Sequence, residues 1–414
     1  MANNDPAEYA NELRRADQTV DDTNTMSPQK IKIAVIQPIM IPGGGTEAVT
    51  AWTIEALKND WDVTLITFSD IDASTLNQYY GTEFTGNDFA IARPRQLPLL
   101  SRTNRFLMLK DHLMMRYCKS VRDKFDLFIG AGGSPMDFGN RGMQFIHLGP
   151  DSTVVKVLQK DERLSSWYWM GKSAFTRLCE NISGWTDEAL ERNLSMPNSE
   201  HTAEVAVQTY GIRKYQVMYP PVGKPNTPTP WAERENGFLC IARIVPPKRI
   251  HEVIEIIRRV RESGYDLSLQ IVGRSDDDEY LDQIMDLQRK HSAWISINGG
   301  LPRAELLSLM NRHKYGINGA LDEHFGIAVA ELVKSGSIVF VPNGGGQTEI
   351  VGAPKLIYDG VDDAVAKIIA VVSEENAQQI ALEKMAHQGD IFSIEAFCNK
   401  MRRTVQDFLQ PVAR

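Results

Sequence analysis

Glu323 and Glu331 are separated by seven residues in the stretch GALDEHFGIAVAE, residues 319–331. If a helix starts near Phe325, Glu323 sits in the loop before it and Glu331 about two turns along it. The first N–H groups of such a helix face the end of the preceding strand and carry its positive dipole end. Gly326 lets a ligand approach the backbone closely. Carboxylates accept hydrogen bonds well from sugar or ribose hydroxyls. Two acids so placed could hold two parts of one polyhydroxylated ligand. Two solvated acids are the bland alternative, but AVA and LV flank Glu331 and fit a solvated face poorly.

Cations of suitable spacing occur in ARIVPPKR, residues 242–249. Arg243 leaves a predicted strand, and Lys248 follows five residues later where the next helix begins. Two cations at a helix N-terminus suit a phosphate or diphosphate; a structural salt bridge accounts for them equally well. Two triple-glycine loops, PGGGTE (42–47) and NGGGQTEIV (343–351), each follow a predicted strand and precede a helix. A tight turn is the simpler account of either loop alone. The GxGxxG fingerprint with an acid at the next strand end is absent, which disfavours a nicotinamide enzyme. His147 closes a predicted strand and reads as a site residue or as a satisfied structural histidine. His324 could turn towards the same ligand. The run SDDDE (275–279) reads as a helix N-terminus, where acids are favoured, rather than as a metal-binding triplet.

These residues need strands and helices to position them. IKIAVIQ (31–37), the helical pattern AVTAWTIEALKND and DVTLITF (62–68) form a parallel βαβ unit with the first glycine loop at its turn. Further strands are expected at 125–130, 143–147, 194–197 and 216–219. YPPVGKPNTPTP (219–230) has five prolines in twelve residues and reads as a linker. A second series follows, with strands at 237–241, 267–272, 294–297, 315–318 and 337–341. Its helices are expected at 249–263, 277–290, 302–312, 325–335 and 361–388, and a last helix at about 393–409. Two doubly wound α/β halves joined by a proline-rich hinge leave a cleft at their strand ends, where ligands bind.

Composition agrees. A chain of 414 residues suggests two domains. Hydrophobic content of 43% with 24% charged residues describes a soluble globular protein without a membrane-length apolar run. Residues 1–30 read as a disordered leader. The four cysteines, Cys118, Cys179, Cys240 and Cys398, have no metal spacing and read as free thiols. Net charge of −8 argues against a nucleic-acid partner. Nine Lys/Arg crowd residues 93–124 around helix-like apolar spacing. That segment admits peripheral contact with an anionic membrane or a solvated helix face packed on its own domain. The aromatic insert WYWMGKSAF (167–175) fits an acceptor groove or a core cluster.

Taken in order, these motifs resemble the retaining glycosyltransferases of family 4, of GT-B fold, over about residues 31–410. The matching elements are E-x7-E with FG after its first acid (Glu323, Phe325, Gly326, Glu331), Arg243 with Lys248, Gly44-Gly45-x-Glu47, the Gly345-Gly346 loop with Glu349, and the strand-end His147. The resemblance implies an acceptor-binding domain at 31–222, a nucleotide-sugar-binding domain at 223–389, and a C-terminal helix (390–414) returning to the first. It implies that Glu331 holds the ribose hydroxyls and that Glu323 lies by the donor sugar. Arg243 and Lys248 would neutralise the diphosphate, aided by N–H groups around Gly326 and Ile327. Gly44 and Gly45 would let the first half close over the phosphates, and His147 would sit by sugar and acceptor. The reaction implied is metal-independent transfer of a hexose, mannose or glucose among the candidates, from a UDP- or GDP-sugar with retention. No cofactor is implied, and the acceptor is a carbohydrate or a lipid-linked one. The setting implied is cytoplasmic or peripheral at the cytoplasmic membrane face. FIHLGPD, NSEHTAEVAVQTYGI and VMYPPV further resemble mannosyltransferases that extend lipid-linked oligosaccharides. The competing expectation is an inactive nucleotide-sugar-binding partner subunit.

Overall fold

The computed structural model describes residues 30–95, 106–147, 166–223 and 229–410, with the backbone alone for 166–173. The expected leader lies almost wholly outside the described residues, as do part of the basic segment (96–105) and most of the aromatic insert's side chains.

The first half runs β1 (Lys32–Ile36), α1 (Gly45–Leu57), β2 (Asp62–Ile66), α2 (Ala73–Tyr80), β3 (Ala90–Ala92), α3 (Leu107–Ser120), β4 (Leu127–Gly130), β5 (Met143–Ile146), α4 (Ser166–Ser183), α5 (Glu188–Arg192), β6 (Leu194–Pro197) and α6 (Glu200–Tyr210). The second runs β7 (Glu235–Ile241), α7 (Ile250–Glu262), β8 (Ser268–Val272), α8 (Asp278–Lys290), β9 (Ile295–Asn298), α9 (Arg303–Arg312), β10 (His313–Ile317), α10 (Ile327–Lys334), β11 (Ile338–Pro342), α11 (Gln347–Val351), β12 (Ile357–Tyr358), α12 (Gly360–Val372), α13 (Glu375–Ile391) and α14 (Ile394–Leu409). Each half holds a six-stranded sheet, ordered β3-β2-β1-β4-β5-β6 and β12-β11-β10-β7-β8-β9. Every strand pair is parallel. Both orders are those of a Rossmann-like domain, and the order reverses between β1 and β4 and between β7 and β10. The chain therefore has the GT-B arrangement, two Rossmann-like domains facing a cleft.

The central strands are nearly continuous apolar runs because helices cover both faces. Ile33 to Ile36 in β1 and Ile338 to Val341 in β11 are wholly buried. Helix starts follow local chemistry. Asp277 accepts the Tyr280 N–H at 2.9 Å, and Asp278 and Glu279 fill the first turn of α8, so SDDDE opens a helix. Ser199 caps α6 and Ser393 caps α14 in the same way.

The structure departs from the sequence reading in four places. Residues 216–219 form no strand; Gln216 and Met218 donate to Ser195 and Pro197 along the edge of β6. Pro220 and Pro221, which lack N–H donors, stop a ladder there. The strands β3 and β12 are three and two residues long, too short for a legible apolar run. The single helix expected over 361–388 is two, α12 and α13, broken at Ser373 and Glu374. Helix α10 begins at Ile327 rather than Phe325.

The last helix belongs to the first core. Phe397, Cys398, Met401 and Val405 of α14 pack with Ile33, Val35, Ile54 and Leu57. Glu349 of α11 joins the halves a second way. Its carboxylate accepts the N–H groups of Glu200 (3.0 Å) and His201 (2.9 Å) at the start of α6, and the Tyr219 hydroxyl at 3.0 Å.

Candidate functional site

The loop between β10 and α10 carries Glu323, and the second glycine loop supports it from behind. Gly346 N–H donates to the Glu323 carbonyl at 2.7 Å. A Cβ at Gly344, Gly345 or Gly346 would lie 2.2, 2.2 or 2.3 Å from the carbonyl oxygens of Leu321, Glu323 and His324. Only glycines allow two backbones this close. The Gln347 amide then donates to Ala320 (2.6 Å) and Gly344 (3.1 Å), and accepts from Asn318 at 2.7 Å. Gly326, at φ +98°, turns the chain into α10.

The loop after β7 reaches the same place. Gly319 packs against the carbonyls of Lys248 and Arg249, where a Cβ would lie 2.8 and 3.0 Å away. Arg249 holds φ +49°, a left-handed conformation uncommon outside glycine. Lys248 Nζ pairs with Glu323 Oε2. Both side chains keep about a fifth of their surface exposed. Glu331, on α10, is more deeply set and pairs with Arg303 of α9 at 2.6 Å. Burial pushes the Glu331 carboxyl above the usual carboxylate range, and Arg303 opposes that shift. Arg243 stands apart in an exposed pair with Asp276 at 3.4 Å. The structure thus brings Lys248 and Glu323 together and leaves Arg243 outside their pair.

The first half meets this group at α10. A Cβ on Gly45 would lie 2.5 Å from Ile327 Cδ1, so the start of α1 faces the start of α10. Gly44 precedes it as the N-cap and is crowded by its own Glu47. Glu47 is buried and accepts from Thr46 Oγ1 (2.7 Å) and Ile41 N–H (3.4 Å), so it shapes its own loop. The Phe325 side chain is buried, with ring contacts to Tyr219 and Phe392.

His147 directly follows β5, with its ring stacked on Phe145 at 5.6 Å and its backbone N–H donating to the Gly133 carbonyl at 2.9 Å. Its Nε2 is buried with no hydrogen-bond partner among the described residues, and burial lowers its pKa to about 4. Gln37 Oε1 after β1 and Asn198 Oδ1 after β6 are likewise buried acceptors without a partner among the described residues. All three lie at the carboxyl edge of the first sheet. Sequence reasoning missed Gln37 and Asn198, whose only signal was their position just past predicted strands.

Three cations of the basic segment serve the first half itself. Lys119 pairs with Asp137 at 2.7 Å, Arg93 donates to the Ile71 carbonyl at 2.6 Å, and Lys110 is buried. Phe106 and Leu107 stay exposed at the start of α3. No helix among the described residues is long and apolar enough to cross a membrane.

Comparison with known proteins points the same way. Residues 226–388 match the family model "Glycosyl transferases group 1". The chain is 29% identical over 216 residues to a Neurospora crassa protein named GDP-Man:Man(3)GlcNAc(2)-PP-Dol alpha-1,2-mannosyltransferase, covering 47% of this chain and 37% of that one. It spans about a third of the length of the curated relatives it matches. Among solved structures, Anabaena HepE in complex with UDP-glucose aligns with a TM-score of 0.62 at 15% identity, covering 91% of this chain and all of that one. Sucrose-phosphate synthase from Thermosynechococcus elongatus aligns at 0.65 and 14% identity, covering 92% and 99%. At such identities these structures speak to fold alone. The chain is a GT-B-fold protein related, through its second half, to the group 1 glycosyl transferases.

Proposed function

We propose that the protein is a retaining glycosyltransferase that moves a hexose from a nucleoside-diphosphate sugar to a carbohydrate or lipid-linked acceptor, with no catalytic metal. The observation that carries this reading is the Lys248–Glu323 pair beside the N-terminus of α10, with Glu331 further along the helix. GDP-mannose is the donor we favour over a UDP-sugar, because four curated relatives carry GDP-Man in their names.

Breaking the anomeric C–O bond leaves a diphosphate that gains negative charge. Lys248, Arg243 and the free N–H groups of α10 would stabilise that charge in place. Lys248 would exchange one anion, Glu323, for another. The released Glu323 would then accept sugar hydroxyls and stabilise positive charge on an oxocarbenium-like ring. Glu331, half-buried and already holding Arg303, suits the ribose hydroxyls as further donors. The unpartnered Gln37, His147 and Asn198 atoms support a hydroxyl-rich acceptor against the first sheet, since buried polar atoms call for partners. Attack from the leaving-group face, with the departing phosphate taking the acceptor proton, would give retention.

Thermal-shift and calorimetric titrations of wild type, Glu331→Ala and Lys248→Ala against GDP, UDP, ADP and their sugars test this. A ligand at about 100 times its Kd adds roughly 2.7 kcal/mol of stability. The expected result is a shift with guanosine nucleotides, weakened about tenfold or more in each variant. No shift with any nucleotide overturns the reading. Donor binding without hydrolysis or transfer over a broad acceptor panel reduces the protein to a nucleotide-sugar-binding subunit.

A further inference from the structure

The seam between the halves brings together three metal-ligating side chains that the donor site does not use. His201 lies in the first turn of α6, and Asp322 and His324 flank Glu323 in the loop before α10. One potential ligand atom from each lies within 4.8 Å of the other two. His201 Nε2 is 2.9 Å from Asp322 Oδ1, and the two imidazoles stack with centroids 6.1 Å apart. A hydrogen bond across the seam would account for His201 and Asp322 alone. It does not account for His324, whose Nδ1 is buried with no partner among the described residues.

The backbones that carry these ligands are fixed independently of any ion. Glu349 accepts the His201 N–H at 2.9 Å. The His324 carbonyl accepts the hydroxyls of Ser199 (2.5 Å) and Thr202 (3.2 Å) from the same end of α6. The side chains therefore need only rotate inward. Metal–nitrogen and metal–oxygen bonds of roughly 2.0–2.2 Å put tetrahedral ligand atoms about 3.4 Å apart, within reach of the present spacing.

We propose that His201, Asp322 and His324 form a site for a first-row divalent cation of zinc type. Two imidazoles and one carboxylate favour zinc, cobalt or nickel over magnesium or calcium, which prefer all-oxygen shells. Water would complete the shell. The ion would tie α6 of the first half to the loop that carries Glu323. The site stands on its own ligands and does not depend on the donor reading.

Titration of the full chain with Zn2+ alone, and with Co2+ for its visible spectrum, is the test. Wild type is expected to bind one equivalent tightly, to melt at a higher temperature with Zn2+, and to give Co2+ absorption without a thiolate band. His201→Ala and Asp322→Asn are each expected to weaken binding about tenfold or more, while melting cooperatively without metal. Binding as tight as wild type in both variants, or no wild-type binding at micromolar Zn2+, overturns the site. If His201→Ala does not fold, Asp322→Asn, at an exposed position, decides alone.

Discussion

His147 is the residue whose chemistry the fold changes most. Free histidine titrates near pH 6.5; here, with Nε2 shut off from solvent, its pKa falls to about 4. The folded state therefore binds fewer protons than the unfolded state between those values. The stability due to this neutral ring is fully present above about pH 6.5. It is lost as pH falls towards 4, by up to ~3 kcal/mol in all. Urea melts of wild type and His147→Asn from pH 7 to 4 check this. The wild type should lose more stability on acidification, and parallel curves would sink the idea of a buried neutral imidazole. Lys248 and Glu323 illustrate a different point, the limit of what spacing along the chain can show. Their identities were readable as charges near a ligand, but their mutual pairing was not, because they are 75 residues apart.

Helices and loops set the second scale. The pattern GGG before a helix occurs twice, and the two loops differ in purpose. Gly345 combines φ +70° with a backbone neighbour that a Cβ would meet at 2.2 Å, whereas Gly43, at φ +99°, has open space. Gly345→Ala should lose more than about 1–3 kcal/mol, because strain and a clash with the Glu323 carbonyl add. Gly43→Ala should show only the backbone part, about 1 kcal/mol. Denaturant midpoints of the two variants give the comparison; equal losses would mean that the close approach to Glu323 is not what the loop provides. Element types were largely legible because parallel strands are buried on both faces and read as apolar runs. Strands β3 and β12 were not, since an edge of two or three residues is specified by its neighbours' hydrogen bonds rather than by its own pattern.

At the scale of the whole molecule, two links between the halves stand beside the contacts of Ser199, His201 and Thr202 with the loop before α10. One is α14, which completes the first core. The other is Glu349, which the resemblance matched to a family loop and the structure places at the N-terminus of α6. Its carboxylate satisfies two helix N–H groups and a tyrosine hydroxyl. Glu349→Ala should cost about 1–3 kcal/mol, since these donors lose a charged acceptor and the helix loses an anion at its positive end. Glu349→Gln should recover part of that. Thermal melts combined with small-angle scattering would check both, and an unchanged melting point would show that the link carries no weight.

The sequence by itself determined two α/β halves and offered a short set of residues whose types suit a phosphorylated, hydroxyl-rich ligand; its proline-rich linker (219–230) lies partly outside the described residues. The sequence could do so because periodicity, glycine loops and charge type are local properties, written within some ten residues. Only the tertiary structure decided which of those residues meet. It paired Lys248 with Glu323 and Glu331 with Arg303, buried Phe325, assigned Glu349 to a seam and gathered His201 with Asp322 and His324. Such meetings are set by the order of strands in each sheet and by the packing of one half on the other, and spacing along the chain carries no record of either.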